Sequence, residues 1–241
     1  MTQQSAPRAA RVRVRDELTR EIKDAARRQL ADRGSAALSL RAVAREMGMV
    51  SSALYRYFPS RDELLTALIV DAYDAVGGTA ERAESAVRRV DLAGRWMAVV
   101  GAVRHWALAH PQEYALIFGS PLPGYRAPSD TVNPAARIPV LLLRILTDAV
   151  DAGRVPGAAD RPMPPPVLDD LNALRDLVAP SLSEQDMARA VMAWTQVIGS
   201  ISFELFGHLA GAVNDYETYF DYQMRGVGLD LGVIQSDDAF I

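Results

Sequence analysis

The chain has 241 residues, 49% of them hydrophobic, and no cysteine, so it is long enough for one large domain or two small ones, while disulfides, thiol catalysis and cysteine-based zinc sites are excluded. No apolar run reaches the ~18 residues of a membrane-spanning helix, and the N-terminus has cations without the apolar core of a secretory signal, so a cytoplasmic protein is expected. The formal charge of −4 hides an asymmetry: residues 1–65 hold 13 basic against 8 acidic side chains, and the rest holds 13 against 22. A basic N-terminal module on an acidic body suits a nucleic-acid reader that carries a separate second function.

Residues 1–15 are polar, alanine-rich and basic, with Arg8, Arg11, Arg13 and Arg15 at near-alternating positions. Two expectations stand for this arm: it is disordered in the free protein, or it lies along DNA with an arginine in the minor groove. A first helix is expected over Asp16–Asp32, with Leu18, Ile22, Ala25, Ala26 and Leu30 as its buried stripe and Gly34 closing it. Lys23, Arg27 and Arg28 read as its solvated face, or as phosphate contacts.

The organising stretch is Leu38–Leu65. Leu40, Val43, Ala44 and Met47 stand at i, i+3, i+4 and i+7, one face of a helix, with Ser39 placed to cap its start and Gly48 to end it. A second helix follows, in which Val50, Leu54 and Phe58 are spaced to pack inward. Its remaining positions are Ser51, Ser52, Ala53, Tyr55, Arg56 and Tyr57. Pro59 stops it, and Ser60 with Asp62 and Glu63 begins the next helix. Small residues at the start of a helix allow close approach to base edges in the major groove, while tyrosine hydroxyls and arginines fix the phosphates. Two helices joined by a glycine-containing turn make a helix-turn-helix.

Ser39-Leu40-Arg41, Ala44, Gly48, Leu54-Tyr55, Tyr57-Phe58 and Ser60-Arg61-Asp62-Glu63-Leu64-Leu65 together resemble the DNA-binding domain of the TetR family of transcriptional regulators. Ala53 stands where that family often has glycine, and Arg61 where it often has lysine. The resemblance implies an all-α fold: an N-terminal three-helix bundle with the helix-turn-helix, then a larger C-terminal helical domain for ligand binding and dimerisation. The expected divisions are a disordered arm at 1–15, the DNA-binding domain at 16–61 and the effector-binding and dimerisation domain at 62–241. DNA contacts are expected from Ser39, Arg41, Ser51, Ser52, Ala53 and Tyr55 at or near bases, and from Tyr57 and Arg61 on phosphates.

A fourth helix begins near Arg61 with Leu64, Leu65, Leu68, Ile69, Ala72 and Tyr73, and Gly77-Gly78 are expected to interrupt it. Leu92–Ala109 is a strongly apolar helix, and Pro111 opens a short one carrying Tyr114, Leu116, Ile117 and Phe118. Residues 120–134 are rich in proline and glycine. Helix 7 is expected over Ala135–Ala152, and a second proline-rich segment follows from Gly153. Two connections of this length in a helical body imply either a mobile lid or disorder. Further helices are expected over Val167–Leu177, from Ser183 through Phe206, and over Asp215–Val227, the last stopped by Gly226 and Gly228, with an irregular tail.

His110-Pro111, Tyr114 and Phe118, followed by Trp194 and Gly199, are similar to a subgroup of the family with a Trp-x-x-x-His-Gly segment, in which Ile198 here takes the histidine place. An apolar or aromatic effector is expected among Trp96, Val100, His105, Trp106, Tyr114, Phe118, Trp194 and Phe203, although each of these aromatics also fits an ordinary core. The apolar excess on the last two long helices reads as a homodimer interface, which would set two recognition helices on a palindromic operator. Repression, relieved by effector, follows from the resemblance. His105, His110 and His208 have no metal-ligand spacing, and no nucleophile motif or phosphate-cradling loop occurs, so no metal, cofactor or catalytic residue is expected. The alternative is a helical small-molecule-binding protein or an enzyme without DNA binding.

Overall fold

The computed structural model describes residues 6–34 and 38–236, which form ten helices and no strand. They divide into two compact units. The N-terminal unit takes residues up to Ala72 together with Gln112–Val132, and the C-terminal unit takes Tyr73–Pro111 and Asn133 onward. This compact unit contains the expected 16–61 module together with residues 62–72 and 112–132.

In the N-terminal unit, α1 (Ala6–Arg33) begins ten residues before the expected Asp16. Residues 6–15 of the expected disordered arm are helical; 1–5 lie outside the described residues. Alanine at 6, 9 and 10 and the straight-chain arginines favour helix, and the anchored turns beyond Leu18 supply its nucleus. The expected stripe holds: Ile22, Ala25, Ala26 and Leu30 are buried, and Gly34, at φ 73°, closes the helix with its N–H on the Leu30 carbonyl. Helix α2 (Leu40–Glu46) buries Leu40, Val43 and Ala44. Ser39 precedes it, but its hydroxyl makes no capping bond. Gly48 turns the chain left-handed at φ 65°.

Helix α3 (Ser51–Leu54) is shorter than expected. Residues 55–57 form turns rather than further helix, and Val50, expected to pack inward, is the exposed residue preceding α3. Leu54 and Phe58 are buried as their spacing requires. The early end has a local cause: Phe58 precedes Pro59 and is barred from helical conformation, so the last turn tightens, with the Tyr57 and Phe58 N–H groups both on the Leu54 carbonyl. Helix α4 (Arg61–Ser85) starts with the Ser60 hydroxyl accepting the Glu63 N–H at 3.1 Å. Helix α6 (Pro111–Phe118) buries Tyr114 and Leu116. The first proline-rich segment is held to α4 by a hydrogen bond of 2.9 Å between the Tyr125 and Thr66 hydroxyls.

In the C-terminal unit, Gly77-Gly78 do not interrupt α4, which is continuous. Their role is close approach. A Cβ on Gly77 would lie 3.0 Å from Cβ and Nε of Arg137, whose guanidinium crosses there to reach Glu81 and Asp74. Helix α5 (Leu92–Ala109) is capped by Asp91, whose carboxylate accepts the Gly94 N–H, and buries Trp96, Val99, Val100, Val103 and Trp106. Helix α7 (Val132–Asp151) carries Pro139 within it and buries Ile138, Leu141, Ile145 and Leu146. Helix α8 (Pro165–Val178) follows, with none of its residues fully buried, and packs on α9.

Helix α9 (Glu184–Leu205) is capped by Ser183, and α10 (Tyr216–Leu231) by Asp215. Gly226 and Gly228 do not end α10; Gly232 does, at φ 76°. Gly228 instead admits its neighbours, since a Cβ there would meet Ile234 Cδ1 at 2.7 Å and Trp96 Cδ1 at 3.2 Å. The irregular tail contributes Val233 and Ile234 to the core.

The second proline-rich segment is neither lid nor loose chain. The Arg189 guanidinium donates to the Ala158 carbonyl at 3.0 Å and to the Asp160 carboxylate. Gln185 bonds both the N–H and the carbonyl of Arg161. Gly157 donates to the Leu229 carbonyl at 2.8 Å. Residues 157–161 are therefore strapped to α9 and α10.

Candidate nucleic-acid interface

The expected DNA-reading residues all come from the N-terminal unit, and α2 and α3 carry Arg41, Ser51, Ser52 and Ala53, with Ser39 and Tyr55 flanking them. Arg41, Ser52 and Tyr55 are exposed; Ser39, Ser51, Ala53, Tyr57 and Arg61 are half-buried. The buried faces of these two short helices, Val43, Ala44 and Leu54, are anchored in the bundle, so the opposite faces present two consecutive stretches of small, hydroxylated and cationic side chains. Such an arrangement can donate to base edges and phosphate oxygens without loss of the core.

Arg61 is more constrained than its spacing suggested. Its Nε donates to the Leu38 carbonyl at 3.2 Å, and its side chain is about two-thirds buried. It thus ties the start of α4 to the segment entering α2. The rest of its fork sits beside Asp62, 3.7 Å away. Arg45 and Arg56 are also exposed on the same short helix–turn stretch, and helical spacing alone does not distinguish a solvated arginine from a phosphate contact.

Behind this face, ion pairs join α1 to its neighbours. Lys23 and Arg27 hold the two oxygens of Asp71 at 2.8 and 2.7 Å, and Arg27 lies 3.7 Å from Glu113. Arg28 pairs with Glu46 at 2.7 Å. These cations, read from the sequence as a solvated face or as phosphate contacts, are engaged within the unit. An open cleft of about 690 Å³ runs past Lys23, Tyr57, Glu63, Thr66, Asp71 and Asp130; its mixed charge does not suit an apolar ligand.

Residues 22–68 match the family model described as bacterial regulatory proteins of the tetR family, and residues 96–227 match the tetracyclin repressor-like C-terminal domain. The chain is 40% identical over 221 residues to HTH-type transcriptional regulators of Mycobacterium tuberculosis and Mycobacterium bovis, covering 88% of this chain and 91% of theirs. The chain belongs to the TetR family of transcriptional regulators. Among solved structures it resembles the regulatory protein SCO4313, with 35% identity, a TM-score of 0.74, and 89% of this chain and 97% of that one covered. A protein from Rhodococcus sp. RHA1 shares 25% identity at a TM-score of 0.68, covering 89% of this chain and 95% of that chain. This TetR-family chain is therefore a helix-turn-helix regulator of transcription, and regulators of this family bind DNA and form dimers.

The expected effector residues are distributed between the units. Trp96, Val100 and Trp106 of the C-terminal unit are buried, and Trp194 is half-buried. Trp96 spends its indole N–H on the Met224 carbonyl at 2.8 Å, so it is a joint between α5 and α10. Tyr114 and Phe118 belong to the N-terminal unit and pack ring to ring at 5.1 Å. His105 is exposed, because α5 turns Arg104 and Trp106 inward and leaves residue 105 on its outer side. Phe203 is also exposed, resting at 5.2 Å on the His208 ring.

One buried pair was missed from the sequence. Arg104 of α5 and Glu204 of α9 form a two-pronged ion pair with both bonds at 2.7 Å, and the guanidinium also lies 5.4 Å from the Phe220 ring centre. The Glu204 hydrogen bond, opposed by burial, raises the Arg104 pKa further above its usual range. Among the described residues, no group of three or more histidine, aspartate or glutamate side chains could hold a metal ion, and no helix is long and apolar enough to cross a membrane.

Proposed function

We propose that this TetR-family regulator is a repressor that grips a palindromic operator as a homodimer and is released by a small, largely apolar effector. The observation that carries the operator reading is the exposure of Arg41, Ser52 and Tyr55 on adjoining turns whose other faces are anchored in the core. Arg41, Ser39, Ser51, Ser52, Ala53 and Tyr55 are assigned to the bases or their immediate surroundings, and Tyr57 and Arg61 to phosphates. Dimerisation is supported by an apolar face left open on α9 and α10: Met192, Phe203, Phe206, Tyr219 and Tyr222 are all exposed in the protomer. A two-fold axis between such faces would give an operator with matching half-sites.

For the effector, Val100, Trp106 and Trp194 of the C-terminal unit are the assigned apolar wall. Effector and DNA would then weaken each other's binding by the same factor, since coupling between two sites is reciprocal.

The test is a selection of bound duplexes from a random pool with the full chain. An enriched inverted repeat is expected, and Arg41→Ala should relax the base preference at one position in each half-site. Enrichment of a site lacking two-fold symmetry, or no enrichment, would overturn the operator assignment. Compounds that relieve repression of a reporter carrying the selected site should change tryptophan emission; a silent signal from every such compound would overturn the effector assignment.

A further inference from the structure

Helix α1 is longer than its bundle requires. Every residue from 10 to 17 is exposed, including Val12 and Val14, and the buried stripe starts only at Ile22, with Leu18 half-covered before it. More than two turns of helix therefore project beyond the packed part of the unit. On this projecting length Arg11 and Arg15 are four residues apart and share one face, while Arg13 lies on the opposite side. The same spacing continues to Leu18 and Ile22, so the stripe that is apolar inside the bundle becomes cationic where α1 leaves it.

Two further observations give that face a direction and a cost. The Arg15 guanidinium lies 5.8 Å from the ring centre of Tyr57, at the end of the recognition turn, so the projecting helix leaves the bundle on the side where α3 ends. Like charges at i and i+4 on a helix repel, so Arg11 and Arg15 oppose the helix that carries them. Arg13, by contrast, has Glu17 four residues on as a natural counter-charge. An exposed cationic stripe beside a residue assigned to phosphates calls for an anion supplied from outside.

We infer that the projecting turns of α1 form a second DNA contact, in which Arg11 and Arg15 bind backbone phosphates flanking the half-site read by α2 and α3. This rests on the operator reading above for its position, though not for its chemistry. The contact is electrostatic and blind to sequence, so it adds affinity to any duplex long enough to reach it. Both arginines act as part of a helix rather than as an extended strand in the minor groove.

The experiment measures affinity against salt concentration for the full chain and three variants: Arg11→Gln/Arg15→Gln, Arg11→Lys/Arg15→Lys, and Arg13→Gln. Two duplexes are used, the selected operator with long flanks and a mixed-sequence duplex of equal length. Circular dichroism and thermal midpoints establish that each variant folds. For a dimer, the double glutamine variant should show a slope of log K on log salt shallower by about 3 to 4 on both duplexes, with unchanged base preference. The double lysine variant should keep the original slope, and Arg13→Gln should stay within about one unit of it.

An unchanged slope in the glutamine variant would overturn the inference. So would a lysine variant that behaves like glutamine, which would mean a guanidinium-specific contact rather than phosphate binding. The mixed-sequence duplex keeps this test separate from the operator reading: if no operator is selected, that reading fails while the slope comparison still decides the α1 contact.

Discussion

At the scale of single residues, the buried pair between Arg104 and Glu204 is the most exposed to damage. Both side chains are about nine-tenths buried, so removing one charge leaves the other desolvated and uncompensated. Glu204→Gln is expected to cost about 3–5 kcal/mol in urea denaturation at fixed protein concentration, whereas Arg104→Met/Glu204→Leu should recover much of that loss. Glu81 behaves differently because it is partly open to water. The hydrogen bonds from Arg137 hold its carboxyl below the usual carboxylate range. A lowered folded pKa gives stability that is full above the unfolded value, about 4.3, and is lost as pH falls through the folded one. Glu81→Gln should therefore flatten the acid limb of the stability curve below about pH 4.5 and leave its shape unchanged near pH 7. Neither residue carries a sequence signal of its own. A charged residue inside an apolar stripe, as Arg104 is between Val103 and Trp106, was the available hint, but its partner lies 100 positions away.

At the scale of elements, glycine is where sequence and structure part. Gly34 and Gly48 were legible as helix ends because each follows an apolar-periodic run and the chain must turn. Gly77, Gly78, Gly226 and Gly228 look the same in sequence, yet all lie within continuous helices. A missing Cβ serves either a left-handed turn or a close neighbour, and only the fold distinguishes the two. Gly228→Ala gains helix propensity but drives a methyl into Ile234 and Trp96, so a net loss of about 1–3 kcal/mol in thermal or denaturant unfolding is expected. The helix order, the helix starts at Ser60 and Ser183, and most of the core of α1–α4 were readable from local spacing, Val50 being the exception. The shortness of α3 and the helical arm were not, since one depends on how far the restriction of Phe58 by Pro59 tightens the preceding turn and the other on nucleation by turns further along.

At the scale of the whole molecule, the proposed operator grip requires a second copy of the chain. Met192 and Phe203 of α9, Phe206 just beyond it, and Tyr219 and Tyr222 of α10 are all exposed, and they are the residues assigned to the dimer interface. Phe203→Glu/Tyr222→Glu is expected to give a monomer by light scattering at micromolar concentration. Its operator affinity should fall by orders of magnitude while the helical content of each protomer is preserved. A dimer that survives both charges would place the interface elsewhere. The candidate reader was legible from Leu38–Leu65 alone because its residues are contiguous. The expected effector residues are scattered along the chain: aromatic content marks what is apolar but not which unit it joins, and Tyr114 and Phe118 belong to the N-terminal unit.

The strap over α9 and α10 has a bearing on how this chain can vary. Its proline, glycine and alanine content gives no hint of constraint, yet the Leu229 carbonyl accepts from both Gly157 and Gly232. A Cβ on Gly157 would meet that carbonyl oxygen at 3.0 Å, and one on Gly232 would meet the Pro156 nitrogen at 3.0 Å. The two glycines thus guard one crossing of main chain from opposite sides. In a saturation library screened for folded protein, positions 157 and 232 should both purge every side chain. Neighbouring Pro162 and Met163 should accept most replacements, a pattern of intolerance inside what reads as a dispensable spacer.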